Sequence, residues 1–240
     1  MKTHQLYLDD SYLKEMDAEI LEVHPDGDGE YRLLLDQTVF YAMGGGQPTD
    51  QGALTSDSWE GSVYQVVMKD GELWHFVNAE TAPKVDDTVH GVIDWGRRYK
   101  NMKYHTGGHI VDFALFLLGY SPTTLSPLKA DHGKKPHIVY QGVVAEDIKQ
   151  KLQAKVDELV AKDLQFSWEF QPFEDLEKEA IYLQTGLPTN KPLRTLRLET
   201  VGAVADGGTQ LHSTSEAGKV IVSDIVTSND TTIISYSLDS

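Results

Sequence analysis

The chain has 240 residues, enough for one large domain or two modest ones with substantial cores. No uninterrupted apolar run approaches the roughly 20 residues that cross a bilayer, and the opening MKTHQLYLDD lacks the apolar core of a secretion signal, so we expect a soluble cytoplasmic protein. The formal net charge of −16 argues against a broad nucleic-acid surface, and the absence of cysteine excludes disulfides and thiolate metal ligands.

The first 95 residues have the pattern of a small β-barrel. Short β-prone runs are separated by turn signals such as HPDGDGE and KDGE, a spacing typical of a barrel. The predicted strands cover residues 18–23, 31–35, 62–68, 73–77 and 89–93. A glycine-rich loop at 40–52, FYAMGGGQPTDQG, contains Gln47, whose amide can recognise a polar group. The same composition is also typical of a plain turn.

From residue 96 the pattern changes to mixed α and β. A helix is predicted to begin near His105, and two further helices are predicted at 145–165 and 173–184. Predicted strands cover 137–144, 193–201, 218–226 and 231–238. We therefore predict an α+β chain with a small N-terminal β-barrel domain at 1–95 and an α+β domain at 96–240.

A pair of histidines lies at the start of the second predicted domain. His105 and His109 are four residues apart, so a helix places both on one face, where they can bind one metal ion. Histidines at this spacing also cap or line helices. Gly107 and Gly108 favour the metal interpretation. Each glycine destabilises a helix by about 1 kcal/mol relative to alanine, so a pair of them indicates that another group must approach the helix backbone closely.

Four basic residues precede the histidines in RRYKNMK. They are Arg97, Arg98, Lys100 and Lys103. Such a cluster is typical of a solvated face or of a local phosphate contact.

A further polar segment, ADGGTQLHSTSEAGK, covers residues 205–219. Asp206, Gln210 and His212 are separated by four and then two residues, both even numbers, so they would point to one side of an extended segment. The two glycines after Asp206 allow a sharp turn or a close approach to a ligand. A glycine-rich hairpin with polar decoration has the same composition.

Together, these motifs resemble the alanyl-tRNA editing family, which comprises the freestanding AlaX proteins and the editing domain of alanyl-tRNA synthetase. The chain has GGGQPTDQG at 44–52, HTGGH at 105–109 and DGGTQLHSTSEAG at 206–218, and the lead-in RRYKNMKYHT is also similar. The resemblance spans nearly the whole chain. It implies a glycine-rich loop in an N-terminal barrel and an editing-type α+β domain that binds zinc.

The resemblance also implies a set of metal ligands. His105 and His109 match the family's histidines, while Asp206 and Gln210 occupy the positions of its cysteine and its third histidine. Aspartate is a competent zinc ligand and a glutamine amide is a poor one, so His212 is the alternative to Gln210. The set favours Zn²⁺ and is also compatible with other divalent ions.

The implied activity is trans-editing, in which the ester that links serine or glycine to tRNA(Ala) is hydrolysed to maintain translation fidelity. Thr106, Thr209 and Gln47 are the predicted catalytic residues, and the four basic residues of RRYKNMK are the predicted contacts with the acceptor end of tRNA. We expect no membrane contact and no obligate protein partner. The alternatives are a metal-dependent hydrolase of another small ester or amide, and a metal-free tRNA-binding paralogue.

Overall fold

The structure, a computed structural model, describes residues 3–239. The chain forms two compact units, one ending at Asn101 and the other beginning at Met102. This division lies inside a long helix that begins at Trp95, close to the predicted boundary between residues 95 and 96.

The first unit contains a closed barrel of antiparallel strands. Its elements are β1 (His4–Gln5), α1 (Leu6–Asp9), β2 (Glu15–Gly27), β3 (Glu30–Leu35), β4 (Gln37–Thr38), β5 (Gly52–Thr55), β6 (Glu60–Lys69), β7 (Glu72–Ala79) and β8 (Thr88–Ile93). The barrel order is β2-β3-β7-β6-β5-β8. The predicted barrel is therefore confirmed. Strand β5 was not predicted, because its four residues are too few for a clear alternating pattern.

The barrel interior follows from alternation along the strands. In β8, buried and exposed residues alternate throughout, so that Val89, Gly91 and Ile93 face inward. Gly52, the last glycine of the glycine-rich motif, is required by strand pairing. A Cβ atom at this position would lie 2.1 Å from the carbonyl oxygen of Val92 on the neighbouring strand. This part of the motif therefore closes the barrel.

The second unit combines two antiparallel sheets with helices, which confirms the α+β class. Its elements are the remainder of α2 (Trp95–Leu117), β9 (Ser126–Asp131), β10 (His137–Gln141), α3 (Lys149–Ala161), β11 (Phe166–Gln171), α4 (Phe173–Glu179), β12 (Leu193–Leu198), β13 (Gly202–Ala205), a 3-10 helix (Ser215–Ala217), β14 (Val220–Ser228) and β15 (Thr231–Leu238). One sheet has the order β14-β15-β10-β9 and the other β11-β12-β13.

Helix α2 begins ten residues earlier than the predicted start near His105. The reason is local, since the Asp94 carboxylate accepts the backbone N–H of Arg97 at 3.0 Å and satisfies a donor of the first turn. From Met102 to Leu115 most residues of the helix are buried, and Phe113 packs against Phe166 of β11 with ring centroids 6.3 Å apart. The histidine pair is thereby fixed on a helix within the core of the second unit.

None of the helices formed by residues 3–239 is both long and apolar enough to cross a membrane.

Candidate metal centre

Three predicted ligands converge in the second unit. His105 and His109 lie one turn apart on α2, and Asp206 follows directly after β13. The Asp206 Oδ1 atom lies 3.3 Å from His105 Nε2 and 3.6 Å from His109 Nε2. One ligand atom from each residue lies within 4.8 Å of the other two, and both histidines are buried. The arrangement suits a single cation between two imidazoles and a carboxylate.

The second oxygen of Asp206 is held by the protein. Asp206 Oδ2 accepts hydrogen bonds from the backbone N–H of Gly208 at 3.1 Å and from Gln210 Nε2 at 3.0 Å. The buried guanidinium of Arg194, on β12, places Nη1 3.5 Å from the same oxygen and donates to the Gly208 carbonyl at 3.0 Å. These donors fix the carboxylate so that Oδ1 faces the histidines.

The protonation states differ among the three residues. Burial lowers the pKa of His105 to about 4, although the Asp206 charge opposes this shift. Burial also disfavours the charged form of His109, but Asp206, and then Asp112, outweigh it and raise the pKa of His109. Burial alone would raise the pKa of Asp206, yet the two histidines and Arg194 hold that pKa well below its usual range. Near neutral pH, Asp206 is therefore an anion beside a neutral His105.

The cluster fits a divalent metal on chemical grounds. Among residues 3–239, the buried ring nitrogens of His109 face carboxylates at distances longer than a hydrogen bond, with Nε2 3.6 Å from Asp206 Oδ1, a spacing that suits two ligands of one ion. Two neutral imidazoles and one carboxylate are a common donor set of catalytic zinc sites, which keep a further position open for water or substrate. His105, His109 and Asp206 would hold the ion.

Comparison with known proteins places the chain in a family. The AlaX-M alanyl-tRNA editing protein of Saccharolobus solfataricus is 31% identical over 225 residues, which cover 92% of each chain. The chain belongs to the alanyl-tRNA editing (AlaX) family. The class II (A) tRNA synthetase family matches residues 10–97.

Larger relatives share the same region. The AlaX-L editing protein of Pyrococcus horikoshii is 32% identical over 221 residues, 91% of this chain and 53% of that protein. The alanine–tRNA ligase of Pyrococcus furiosus is 33% identical over 222 residues, again 91% of this chain but 24% of the ligase. This AlaX-family chain thus spans about half the length of AlaX-L and a quarter of the ligase.

Gln210 and His212, the two candidates for a further ligand, lie in different surroundings. The buried Gln210 amide accepts a hydrogen bond from the Thr106 hydroxyl at 2.7 Å and donates to Asp206. His212 is exposed and stacks on Trp168, with ring centroids 5.6 Å apart. His212 is not part of the cluster formed by the described residues. Gln210 therefore contacts a ligand, and its own binding to the ion stays a prediction.

Of the three predicted catalytic residues, Thr106 and Thr209 belong to the second unit and Gln47 belongs to the first. Thr106 and Thr209 are fully buried, and the Thr106 hydroxyl also accepts the backbone N–H of Leu211 at 3.0 Å. Gln47 belongs to the first unit, where its backbone closes a turn with Gly44 and its side chain is buried. The catalytic roles of the three residues stay predictions.

The basic cluster does not present a uniform surface. Lys100 is exposed, Arg97 and Lys103 are half-buried, and Arg98 is completely buried within the first unit. The Arg98 guanidinium binds the Asp50 carboxylate and donates to the Ser11 carbonyl at 2.8 Å. We therefore exclude Arg98 from the predicted tRNA contacts, because its donors are already used inside the barrel unit.

Sequence reasoning missed two residues near the histidines, Asp112 and His132. Asp112 lies on α2 one turn beyond His109, and its Oδ2 is 3.9 Å from His109 Nδ1. Its carboxylate accepts hydrogen bonds from the hydroxyls of Tyr140 at 2.5 Å and Tyr182 at 3.1 Å. The spacing of His109 and Asp112 at i and i+3 was the available signal. His132 follows β9 and stacks on His105.

Replacing Asp112 with asparagine is expected to weaken metal binding about 10- to 100-fold, the usual effect of removing a partner that orients a ligand. The amide keeps the size of the side chain but removes the negative charge that faces His109. Competition with a chelator measures the affinity, and Asp157→Asn on the exposed face of α3 is the matched control. Equal affinities for the two variants would contradict a role for Asp112 at the metal.

Metal binding is also expected to release a proton. His105 is neutral above about pH 4, whereas His109 keeps its proton to a higher pH than an ordinary histidine. A cation must displace that proton, so affinity should rise with pH until His109 is neutral and then level off. Calorimetric titration in buffers of different ionisation enthalpy should detect about one proton released per ion below the pKa of His109, and fewer above it. Proton release that does not change with pH would contradict this assignment.

Proposed function

We propose that this chain is a trans-editing aminoacyl-tRNA deacylase that removes serine or glycine from tRNA(Ala) at a metal centre in its second unit. The observation that carries the proposal is the convergence of His105, His109 and Asp206, contributed by the two motifs that resemble the editing family. Membership of the AlaX family supports the same substrate class.

The reaction is hydrolysis of the ester between the amino acid and the terminal ribose. A bound divalent ion would supply Lewis-acid catalysis, by polarising the ester or by lowering the pKa of water. The protein holds the ligands in place before the ion binds, through the contacts of Asp206 with Arg194, Gly208 and Gln210. Such preorganisation reduces the rearrangement needed when the charge of the transition state develops.

Hydroxyl groups beside the ligands offer a means of recognising the amino acid. Thr106 is held at both sides, since it donates to Gln210 and accepts from Leu211. We propose that Thr106 and Thr209 line the position of the small side chain, while a catalytic role for Gln47 of the first unit stays a prediction. A separate hydrolytic site is needed because a synthetase pocket distinguishes such similar side chains by only about 1–3 kcal/mol.

The acidic charge of the chain limits how tRNA binds. A net charge of −16 disfavours a broad interface with phosphates, so we propose a small contact at the acceptor end. Arg97, Lys100 and Lys103 remain the proposed phosphate contacts after Arg98 is excluded. Binding should weaken only modestly with salt, because the slope reports the number of phosphates contacted.

Deacylation of Ser-tRNA(Ala) and Gly-tRNA(Ala) tests the proposal, with correctly charged Ala-tRNA(Ala) as the reference substrate. Zinc-loaded wild-type protein is expected to release serine or glycine much faster than alanine. His105→Ala should abolish release, while His137→Ala, which alters a half-buried histidine hydrogen-bonded to the Lys135 carbonyl, should not. The variants are compared after metal content is measured.

The outcomes separate the three candidate functions. Protein that binds zinc but releases neither amino acid would overturn editing and favour hydrolysis of another small ester or amide. Protein that binds tRNA but takes up no divalent ion would favour the metal-free paralogue. Release by His105→Ala at the wild-type rate would exclude this cluster as the reaction centre.

A further inference from the structure

His132 brings a third imidazole to the centre of the second unit. It follows β9, is buried, and stacks on His105 with ring centroids 4.5 Å apart and an angle of 27° between the rings. His105 in turn stacks on His109 at 5.0 Å. Three imidazoles therefore form a continuous stack, although the ligand atoms that lie within 4.8 Å of one another come only from His105, His109 and Asp206 among the described residues.

The His132 ring is also held by Tyr236 of β15, through its Nδ1 atom. His132 Nδ1 lies 2.5 Å from the Tyr236 hydroxyl, and that hydroxyl donates to the backbone carbonyl of Tyr104 at 2.9 Å. A hydroxyl has one proton, so Nδ1 of His132 must be the donor in the first bond. The connection ends at Tyr104, the residue before His105, and so ties His132 to the same turn of α2 that carries the ligand.

Gly108 makes room for this arrangement on α2. A Cβ atom at position 108 would lie 2.6 Å from Cε1 and 2.9 Å from Nδ1 of His132, and 3.0 Å from the Tyr236 hydroxyl. The imidazole therefore packs directly on the helix backbone. A glycine is less favourable than alanine in a helix, and here it makes room for the ring that stacks on His105.

We propose that His132 is a positioning residue for the metal ligand His105. Its ring, held by Tyr236 and seated on Gly108, limits the rotation of the His105 imidazole and keeps Nε2 directed at Asp206. His105, His109 and Asp206 would hold the ion, and His132 acts through His105 rather than on the ion. This inference rests on the proposed metal site and assigns His132 a role that the three sequence motifs do not contain.

The test separates a stacking role from a ligand role by the choice of substitution at position 132. His132→Ala removes the ring, and His132→Phe keeps an aromatic ring but no nitrogen. The full-length protein is loaded with Co²⁺, the affinity is measured by chelator competition, and the visible spectrum and X-ray absorption report the coordination and the number of imidazoles bound. His137→Ala is the matched control on the neighbouring strand β10.

We expect His132→Ala to weaken binding about tenfold and His132→Phe to restore most of the loss, with two imidazoles bound to the metal in every variant. The proposal is overturned if His132→Ala binds Co²⁺ with unchanged affinity and spectrum. It is also overturned if wild-type protein has three bound imidazoles and His132→Phe has two, since His132 would then be a ligand.

A second variant tests the same contact without removing any side chain. Gly108→Ala favours the helix by intrinsic propensity but pushes the His132 ring away from the backbone. We expect weaker Co²⁺ binding and a moderate loss of thermal stability in the metal-free protein, because the added methyl group forces the buried His132 ring to move. Unchanged affinity in this variant would overturn the proposal even if His132→Ala failed to fold. Wild-type protein that takes up no metal would instead overturn the metal-dependent function itself.

Discussion

Asp206→Asn is expected to reduce both metal affinity and deacylation by more than about 100-fold, a larger effect than loss of an outer contact such as Asp112. Asp206 supplies the oxygen that faces both histidines. The asparagine side chain is a poor metal ligand, and the substitution also removes the negative charge beside the two imidazoles. Metal content and the rate of release from Ser-tRNA(Ala) measure the two effects in the same preparation.

Asp224→Asn serves as the control for Asp206→Asn, and Asp206→Cys serves as the rescue. Asp224→Asn changes an exposed aspartate of β14 and should leave both quantities unchanged. Asp206→Cys should recover metal binding to within about tenfold of the wild type, because a thiolate is a strong zinc ligand. Cysteine is also the residue that the resemblance to the alanyl-tRNA editing family implies at this position. Full metal binding and activity in Asp206→Asn would show that this carboxylate does not hold the ion.

The sequence predicted the elements whose burial is regular and missed those whose burial is not. Alternation in β8 and the full run of β15 were clear, so both strands were predicted closely. Strand β9, SPLKAD, is an edge strand with mostly exposed residues and a proline, so its composition resembles a loop. Strand β11 lies in the short interval between the predicted helices at 145–165 and 173–184, and its six residues were assigned to neither.

At the candidate site, too, local patterns predicted some residues and missed others. The histidine pair and the close approach at the double glycine were visible in local spacing, whereas Asp206 was assigned to the metal through the resemblance to the editing family. His132 was not visible in local spacing, because it reaches His105 through the pairing of β9 with β10 and the contact with β15, which are long-range features. The glycines predicted that something approaches the helix, and only the structure identifies the His132 ring and the Tyr236 hydroxyl.

Arg98 illustrates a charge whose burial could have been anticipated. Placed on a helix, Arg98 shares a face with Met102, His105 and His109, all of which are buried. Counting charges along RRYKNMK ignored that periodicity. In the barrel unit, the Arg98 guanidinium is within hydrogen-bonding distance of Asp50, the aspartate of the glycine-rich motif, through Nε at 2.8 Å. Two segments that look functional in sequence are therefore joined by a structural ion pair.

Arg98→Met is consequently expected to destabilise the first unit by about 3–5 kcal/mol, since it leaves the Asp50 carboxylate buried without its counter-ion. The substitution also removes the donor to the Ser11 carbonyl. Denaturant unfolding followed by tryptophan fluorescence suits the measurement, because three of the four tryptophans, Trp59, Trp74 and Trp95, lie in this unit.

Neighbouring and paired substitutions distinguish this structural role from RNA binding. Arg97→Met removes one hydrogen bond to the Thr49 carbonyl from a half-buried side chain, so the expected loss is only about 1 kcal/mol. Combining Arg98→Met with Asp50→Leu should recover part of the stability, because no unpaired charge then stays buried. If Arg98→Met instead unfolded like the wild type but lost affinity for tRNA, the buried ion pair would be dispensable and Arg98 would return to the set of tRNA contacts.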